Sequence, residues 1–574
     1  MSISEADEVL AKDARFETEA ITIGSRTVNA WKSGPKHISD ILAMTDVWSD
    51  EIFLVADSKH ATFGDFRRAV SNCSHALSTA GVEPGDRVAL LMRNRIEWPV
   101  AFFAIMLLGA IVVPVNGWET DEKVALMLSD AGARHLISDA PRQVENGRME
   151  LCWCECGDGR PLGDIIPPAE AWSALAVAPP HFPSLDPEAI GAIFFTSGTS
   201  GRPKGATLTH RAMTAALRNS EYQRARYSLR YPPAVAASPP SRPTALFPVP
   251  LFHVTAAVAG LVVATASGTK MVLINRWNPE EGLRIIERER VTLLGGVPTL
   301  ALQLLQHTSL DKHDLSSLTD CLYGGAPAPS SLPGDIKATL GARSANGWGM
   351  TETASTFLLN TGQDYLDRPK SCGVVVPAVN EARIADAHDK PVAVGEQGEL
   401  QVRGLTVTQG YWNAPAVTAE VFTHDDWFRT GDFAIMDHEG FVTITDRIKD
   451  VIIRGGENIF TVEIEDALAS YPDIVEAAVF ARAHLTLGEE VVAMIVTGKS
   501  GIPVLEELQD FLRSRLARHK VPVEIFVIDS PLPRNAAGKV LKSELKRLLS
   551  PRSDRAPDDH AVSAIALHRG NTGV

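Results

Sequence analysis

Residues 196–205 read Thr196-Ser197-Gly198-Thr199-Ser200-Gly201-Arg202-Pro203-Lys204-Gly205, directly after the short apolar segment 191–195. Small residues allow backbone N–H groups to approach phosphate oxygens, the hydroxyls can donate hydrogen bonds, and Lys204 supplies positive charge. This is not a Walker A loop, because Pro203 stands where that motif has glycine before the lysine, and proline has no N–H. The stretch predicts a phosphate-binding loop at the end of a buried strand; a flexible linker is the alternative.

Segments with strand and helix patterns alternate on both sides of this loop. The predicted strands lie at 87–91, 110–114, 245–248, 271–273 and 291–294, and the predicted helices at 98–109, 256–266 and 280–289. Such alternation is typical of a parallel sheet covered by helices. The most apolar run, 100–115, is shorter than the roughly 20 residues needed to span a bilayer. We therefore expect no transmembrane segment there, but a buried helix followed by a core strand.

Length and charge restrict the class of protein. A chain of 574 residues exceeds the size of one hydrophobic core, about 250–300 residues, so we expect at least two domains. The net charge is −15 and no long basic run occurs, which argues against a nucleic-acid partner. The N-terminus has no basic segment followed by an apolar one, so we expect no secretory signal and a cytoplasmic location.

The pattern also predicts a domain organisation. Strands near residue 400 alternate in a more antiparallel manner, and a small α+β pattern follows Asp446. The predicted divisions are a loosely attached lead-in at 1–40, a large N-terminal domain at 41–446, a small C-terminal domain at 447–550 and a disordered tail at 551–574. The predicted fold class is α/β, with parallel sheets in the large domain and an α+β small domain.

Three cysteines, Cys152, Cys154 and Cys156, alternate along one segment. Zinc-binding pairs are usually separated by two to four residues, and no group of histidines follows. An irregular surface loop is therefore favoured over a metal site.

Six further motifs follow the phosphate loop in order. They are Gly324-Gly325-Ala326-Pro327, Gly347-Trp348-Gly349-Met350-Thr351-Glu352, Trp427-Phe428-Arg429-Thr430-Gly431-Asp432, Asp446-Arg447-Ile448-Lys449-Asp450, Arg454-Gly455-Gly456-Glu457-Asn458-Ile459 and Pro533-Arg534-Asn535-Ala536-Ala537-Gly538-Lys539. With the loop, this series resembles the adenylate-forming superfamily of acyl-CoA synthetases, firefly luciferases and nonribosomal peptide adenylation domains. The resemblance covers about residues 50–545. It implies a distorted β-barrel subdomain in the large domain and a mobile small domain.

The resemblance implies a set of site residues for adenylation. Lys539, Thr351 and Glu352 would be catalytic, and Thr196 and Glu352 would hold Mg²⁺. An aromatic face at Trp348, where many relatives have Tyr, would pack against adenine. ATP or AMP would be bound by Thr196, Ser197, Gly198, Thr199, Ser200, Gly201, Lys204, Gly325, Ala326, Pro327, Trp348, Gly349, Met350, Thr351, Asp432 and Arg447.

A second step would transfer the acyl group to a thiol. Lys449 would be the hinge about which the small domain turns, and Arg454, Gly455 and Gly456 would bind coenzyme A. The acyl pocket would be lined by His253, Val254, Val297 and Gly324. Nothing resembles the aspartate that holds an amino group in nonribosomal adenylation domains, which argues for an acid without an α-amine. Small residues at 256, 257 and 260 suggest room for a medium or long chain, or for a ring system.

The predicted function is thus ATP-dependent activation of an apolar carboxylic acid, such as a medium- or long-chain fatty acid, followed by transfer to coenzyme A. Two alternatives stay open: an acyl-AMP ligase that loads a carrier protein, and a non-catalytic adenylate-binding protein. A homodimer is an open alternative to a monomer.

Overall fold

The computed structural model describes residues 1–24, 26–140, 151–154, 160–176, 185–196, 203–232, 242–498, 503–535, 538–549 and 565–567. The strands are β1 (Thr18–Ile23), β2 (Arg26–Trp31), β3 (Ile52–Ala56), β4 (Lys59–Thr62), β5 (Arg87–Leu91), β6 (Ile111–Pro114), β7 (His135–Ser138), β8 (Leu151–Cys154), β9 (Arg160–Pro161), β10 (Ile190–Thr196), β11 (Lys204–Thr209), β12 (Thr244–Leu246), β13 (Lys270–Leu273), β14 (Leu293–Gly296), β15 (Asp320–Gly324), β16 (Arg343–Met350), β17 (Ser355–Thr361), β18 (Asn380–Ala385), β19 (Gln397–Gly404), β20 (Phe428–Met436), β21 (Val442–Arg447), β22 (Ile452–Arg454), β23 (Glu457–Ile459), β24 (Ile474–His484), β25 (Gly488–Thr497), β26 (Glu524–Ile528) and β27 (Ile565–Leu567).

The α-helices are α1 (Ile3–Leu10), α2 (Ile38–Ala43), α3 (Phe63–Thr79), α4 (Glu97–Leu107), α5 (Asp121–Ala131), α6 (His210–Arg230), α7 (Val263–Ser267), α8 (Pro279–Glu289), α9 (Pro298–Leu305), α10 (Leu332–Leu340), α11 (Gly362–Asp367), α12 (Pro415–Val421), α13 (Thr461–Ala469), α14 (Leu505–Arg513) and α15 (Lys542–Leu548). A π-helical stretch, Thr255–Val262, runs directly into α7. The predicted helices and strands of the large domain are confirmed, and the apolar run at 100–115 divides into the fully buried α4 and the core strand β6.

The first large sheet has seven strands in the order β11-β10-β6-β5-β7-β8-β9. All its pairings are parallel except that of β10 with β11, which is antiparallel and pairs Thr196 with Lys204. The two strands that border the phosphate loop are therefore an antiparallel pair at the edge of this sheet. The central residues 191–194 of β10 are buried, as expected for a strand within a sheet covered by helices.

The second large sheet has eight strands in the order β17-β16-β15-β14-β12-β13-β3-β4. The strands β14, β15 and β16 are parallel neighbours, and their register places Gly324 beside Gly347. Ligands in α/β proteins bind outside the carboxyl ends of parallel strands. Two of the predicted motifs lie at the ends of β15 and β16, and Val297 of the predicted acyl pocket follows β14, so the topology brings these segments to one edge.

Besides the two-stranded sheet β1–β2, two smaller sheets follow later in the chain. The four strands β18 to β21 form an antiparallel sheet, in the part of the chain where the sequence predicts more antiparallel strands. The chain then crosses the turn Ile448–Asp450 into a sheet of β22 to β27, which has its own hydrophobic core. The predicted α/β class with a small C-terminal α+β unit is confirmed. The domain bounds at 446 and 447 stay a prediction.

The expectation of a loosely attached lead-in was wrong for the described part of residues 1–40. Helix α1 and the hairpin β1–β2 pack on α6 in a shared hydrophobic cluster. The Tyr222 hydroxyl donates to Asp7, the Arg226 guanidinium pairs with the same carboxylate, and the Trp31 indole donates to Asn219. Sequence reasoning failed here because the partners lie about 200 residues away.

The structure also bears on the expectations for the cysteine segment and the C-terminal tail. The cysteine segment was expected to be an irregular loop, but Cys152 and Cys154 lie on the sheet strand β8; Cys156 lies outside the described residues. The expected tail of disorder is also mostly outside them, although 565–567 pairs with β26 as an edge strand. No helix in the described ranges is long and apolar enough to cross a membrane.

Candidate active site

Glycines permit the close packing of motifs at the carboxyl edge of β14–β16. A Cβ on Gly324 would lie 2.2 Å from the carbonyl oxygen of Gly347, and a Cβ on Gly349 would lie 1.8 Å from that of Ser355. No side chain fits at either position. The predicted adenine-side turn at 324–327 and the central motif at 347–352 are therefore adjacent because the backbones touch.

Glu352 lies in the 3₁₀ turn Thr351–Thr353 and is buried, with 4% of its surface exposed. Its Oε1 accepts a 2.7 Å hydrogen bond from the Tyr411 hydroxyl. Burial raises the pKa of Glu352, and the Tyr411 hydrogen bond opposes this effect. Tyr411 escaped the sequence analysis; the only signal was its place in the aromatic pair Tyr411-Trp412 after Gly410.

Lys204, at the end of the phosphate loop, lies near the tyrosine that binds the Glu352 carboxylate. Thr196 donates a long 3.4 Å hydrogen bond from its hydroxyl to the Lys204 carbonyl, and Lys204 Nζ lies 5.4 Å from the centre of the Tyr411 ring. Tyr411 thus connects the loop to Glu352. The loop residues Ser197, Gly198, Thr199, Ser200 and Gly201 lie outside the described residues.

Asp432 is the centre of a polar group that includes Trp348 of the central motif and Arg447 of the hinge motif. It is buried, its Oδ2 accepts a 2.9 Å hydrogen bond from the Trp348 indole, and its Oδ1 lies 3.0 Å from Arg447 Nε. The backbone supports this position, because β20 pairs Asp432 with Arg447 on β21. Trp348 is itself 91% buried, in a cluster with Phe357. Its stacking on adenine stays a prediction, whereas its role as a donor to Asp432 is a finding.

Lys539 reaches this cleft from the small domain. It belongs to a tight turn in which Asn535 Oδ1 accepts from the Lys539 N–H and Arg534 donates to the Gly538 carbonyl. Gly538 has φ of +79°, and a Cβ there would lie 3.0 Å from a methyl of Val297. The Cε of Lys539 lies 3.9 Å from the position of a Cβ on Gly325. The predicted catalytic lysine therefore meets the predicted adenine turn and acyl pocket.

The charges around Lys539 are mixed. Its side chain has solvent access along the cleft, but protein atoms surround it on most sides. This burial, together with repulsion from Arg447 and Lys449, lowers the pKa of Lys539 to about 8, while Asp432 and Glu352 act in the opposite direction. The ammonium is thus an easily deprotonated group placed among two carboxylates and two cations.

The segments predicted to line the acyl pocket meet beside Lys539. His253 Nε2 is buried without a hydrogen-bond partner, and burial together with the Lys539 charge lowers the pKa of His253 to about 3. The ring of His253 lies 4.3 Å from that of Phe252, which packs edge-on against Trp118. Val254 is buried and Val297 touches Gly538. A neutral histidine is therefore the polar group of a largely aromatic and apolar wall.

The small residues that suggested a roomy pocket are packed instead. Ala256 and Ala257 have no exposed surface, and a Cβ on Gly260 would meet Phe247 and Met271 at 3.6 Å. They lie in the π-helical stretch, a rare form that often occurs at functional sites. The expectation of spare room at these three positions was wrong, because small side chains here allow close packing rather than an open channel.

The predicted coenzyme A residues are not brought to this cleft. Arg454, Gly455 and Gly456 form the turn between β22 and β23, and Gly455 donates its N–H to the Leu487 carbonyl within the small domain. Both glycines have positive φ, 59° and 89°. Lys449 is exposed in the turn that joins the two domains. The roles of these four residues stay predictions.

The donor set fits a magnesium ion. Mg²⁺ prefers carboxylate and hydroxyl oxygens and retains several waters. Glu352 offers a buried carboxylate whose pKa is raised by burial, which a cation would relieve. Thr196 offers a hydroxyl whose hydrogen bond to the Lys204 carbonyl is long. Bound there with a nucleotide, Mg²⁺ would neutralise phosphate charge that Glu352 would otherwise repel.

Comparison with known proteins identifies the class. Residues 44–412 match the AMP-binding enzymes, and residues 463–539 match the AMP-binding enzyme C-terminal domain. The chain belongs to this family, and its class is that of the AMP-forming acid–thiol ligases.

Individual relatives cover most of the chain. It is 35% identical over 488 residues to the feruloyl-CoA synthase of an Amycolatopsis species, covering 85% of this chain and 93% of that protein. It is 31% identical over 520 residues to the long-chain-fatty-acid–CoA ligase of Bacillus subtilis, covering 85% and 90%. The solved o-succinylbenzoate CoA synthetase from Bacillus subtilis, in complex with its acyl-adenylate intermediate, superposes with a TM-score of 0.74 at 27% identity, covering 88% and 97%. The resemblance inferred from the motifs is confirmed.

Proposed function

We propose that this enzyme activates a compact, apolar carboxylic acid with an aromatic ring, at the expense of ATP, and transfers the acyl group to coenzyme A. The observation that carries the proposal is the position of Lys539. This residue reaches from the small domain into a cleft formed by Gly325, Val297, Glu352 and the Asp432–Arg447 pair.

In the first step, a carboxylate oxygen of the acid attacks the α-phosphorus of ATP. The bond between the α-phosphorus and the bridging oxygen breaks, and pyrophosphate leaves with that oxygen. Negative charge gathers around the phosphorus, so positioned cations and hydrogen-bond donors give most of the catalysis. Lys539 supplies an ammonium at this point, Thr351 supplies a donor, and Asp432 accepts hydrogen bonds from the ribose.

In the second step, the thiolate of coenzyme A attacks the acyl carbon, and AMP leaves. Lys539 occupies the space beside the acyl pocket in this structure, since Gly538 packs on Val297. The thiol therefore needs the small domain to turn, for which the exposed Lys449 is the hinge. The turn at 454–456 would then reach the cleft.

The aromatic contacts of the acyl wall support an acid that carries a ring. The ring of Phe252 packs on His253, and Trp118 packs edge-on against Phe252. The three small residues at 256, 257 and 260 are closely packed and do not widen this wall. Phe247, near the position where amino-acid-activating relatives have a carboxylate, is buried and apolar. An acid without an α-amino group fits these contacts.

The test is pyrophosphate release on a panel of hydroxycinnamic, benzoic, medium-chain and long-chain acids, each with and without coenzyme A. We expect the highest kcat/KM with aromatic acids and thioester formation only with the thiol present. A clear preference for chains of about 14 or more carbons would contradict the substrate proposal. Pyrophosphate release without any thioester on coenzyme A, but with a phosphopantetheinyl carrier, would instead support a carrier-loading ligase. Nucleotide binding with no release on any acid would support a non-catalytic protein.

A further inference from the structure

A polar contact joins the two domains at a distance from the cleft. Asp466 lies on α13 of the small domain, 17 residues after the hinge residue Lys449. Its Oδ1 accepts hydrogen bonds from the N–H and the hydroxyl of Ser330, both at 3.3 Å, and its Oδ2 lies 2.9 Å from Lys370 Nζ. Both oxygens of one small-domain carboxylate are thus bound by the large domain.

The two partners of Asp466 in the large domain, Ser330 and Lys370, lie in loops between regular elements. Ser330 follows the adenine-side turn at 324–327 and precedes α10, and Lys370 lies between α11 and β18. The Asp466 side chain is 25% exposed and that of Lys370 is 63% exposed. The ion pair is therefore accessible to water and salt, while the hydrogen bonds to Ser330 fix the carboxylate in direction.

This contact and the position of Lys539 belong to the same domain orientation. The Gly538 turn packs on Val297, and Asp466 binds Ser330; both contacts join the small domain to the loops that follow β14 and β15. A rotation about Lys449 that carries Lys539 out of the cleft also separates Asp466 from its partners. Such a rotation would therefore break the contact, which favours the orientation seen here.

We propose that Asp466 is a positioning residue for adenylation: it docks the small domain on Ser330 and Lys370 in the orientation that places Lys539 in the cleft. It touches neither substrate nor nucleotide, and it acts through Lys539. This inference rests on the proposed function for its kinetic consequence, but the docking itself can be measured without turnover.

The kinetic test separates the half-reactions of the full-length enzyme. We expect Asp466→Ala to lower pyrophosphate release roughly three- to tenfold, in keeping with the modest worth of an exposed ion pair supported by hydrogen bonds. Thioester formation from a supplied acyl adenylate should stay within about twofold, because that step needs the other orientation. An equal loss in both half-reactions, or no loss of adenylation, would overturn the proposal.

The chain provides a matched control and a rescue. Glu463 lies on the same helix but pairs with Lys520 at 2.7 Å within the small domain, so Glu463→Gln should alter neither half-reaction. Lys370→Asp should reproduce the adenylation defect, and the double variant Asp466→Lys with Lys370→Asp should recover part of it. A double variant no better than the worse single variant would contradict the role of the ion pair.

A structural readout keeps the inference independent of the substrate. Fluorophores introduced on exposed Lys337 in the large domain and exposed Leu485 in the small domain report domain orientation by energy transfer. Asp466→Ala should lower the population at the wild-type distance, and Glu463→Gln should not. If the wild-type enzyme released no pyrophosphate on any acid, the proposed function would fail. The energy-transfer measurement would still show whether Asp466 docks the small domain. Identical distance distributions for wild type and Asp466→Ala would reject the docking role.

Discussion

The indole Nε1 of Trp348 donates a 2.9 Å hydrogen bond to Oδ2 of Asp432, and both residues are buried. The other oxygen of Asp432 faces the guanidinium of Arg447. The aromatic residue of the central motif and the carboxylate of a motif 80 residues later are therefore one unit. Trp348 orients the carboxylate that is predicted to hold the ribose.

Removing the indole donor tests this unit. We expect Trp348→Phe to raise the KM for ATP about tenfold with a smaller effect on kcat, since a hydrogen bond to a buried charge contributes about 1.5–3 kcal/mol. Asp432→Asn should raise the KM for ATP at least as much. The double variant Trp348→Phe with Asp432→Asn should have a KM close to that of Asp432→Asn alone. Steady-state kinetics of pyrophosphate release measure both; fully additive effects would show that the two residues act separately.

The two half-reactions should separate at Lys539. We expect Lys539→Ala to lower adenylation by about 10²–10³-fold, the usual cost of losing one positioned electrostatic group. Thioester formation from a supplied acyl adenylate should persist. Lys337→Ala, on the exposed face of α10, is the control and should change neither. A folded Lys539→Ala enzyme with both half-reactions equally impaired would disprove the assigned role.

The pKa of Lys539 gives adenylation a pH dependence. Burial lowers this pKa to about 8, so the side chain is an ammonium below pH 8 and a neutral amine above it. We expect kcat/KM for ATP to fall as the pH rises through about 8, because this ratio reports the free enzyme. Lys539→Arg keeps its charge at all these pH values, and its profile should lack the fall. A fall that persists in Lys539→Arg would have another origin.

Magnesium dependence should follow the Tyr411–Glu352 contact. Tyr411→Phe removes the hydrogen bond to Glu352 Oε1 and leaves the carboxylate, so we expect the Mg²⁺ concentration for half-maximal adenylation to shift by a few-fold. Glu352→Gln removes the charge and should lower adenylation about a hundredfold, and chelation of the metal should abolish it in wild type. Magnesium titration of all three proteins measures this. An unchanged response in Glu352→Gln would exclude Glu352 as a ligand.

Backbone contact at Gly349 predicts an effect on stability. Gly349→Ala places a Cβ 1.8 Å from the Ser355 carbonyl oxygen, and such overpacking lowers the free energy of unfolding by about 3 kcal/mol. Gly334 offers the matched control, since it lies in α10 with open space around it, and alanine there should stabilise the helix by up to ~1 kcal/mol. Thermal unfolding followed by circular dichroism compares them. Equal melting temperatures would contradict the close approach.

Sequence patterns predicted the regular elements well where one segment carries its own signal. The apolar α4, the strand β10 before the Gly-rich loop and the alternation around them follow from periodicity that is local in the chain. The lead-in was misjudged because Asp7 finds its partners Tyr222 and Arg226 only in the folded protein. Tyr411 was missed for the same reason, because its partner Glu352 lies 59 residues away in the chain.

The order and residue types of the motifs, by themselves, determined that this chain belongs to the adenylate-forming enzymes, and they predicted Lys539, Glu352 and Asp432 as site residues. A motif fixes which charges and backbone freedoms are present, because these are properties of neighbouring residues. Only the tertiary structure decided that Lys539 lies against Gly325 while its neighbour Gly538 packs on Val297, that Trp348 donates to Asp432, and that Asp466 binds Ser330 and Lys370. Those relationships join residues 84 to more than 200 positions apart, and they depend on how sheets and domains pack, which no local pattern records.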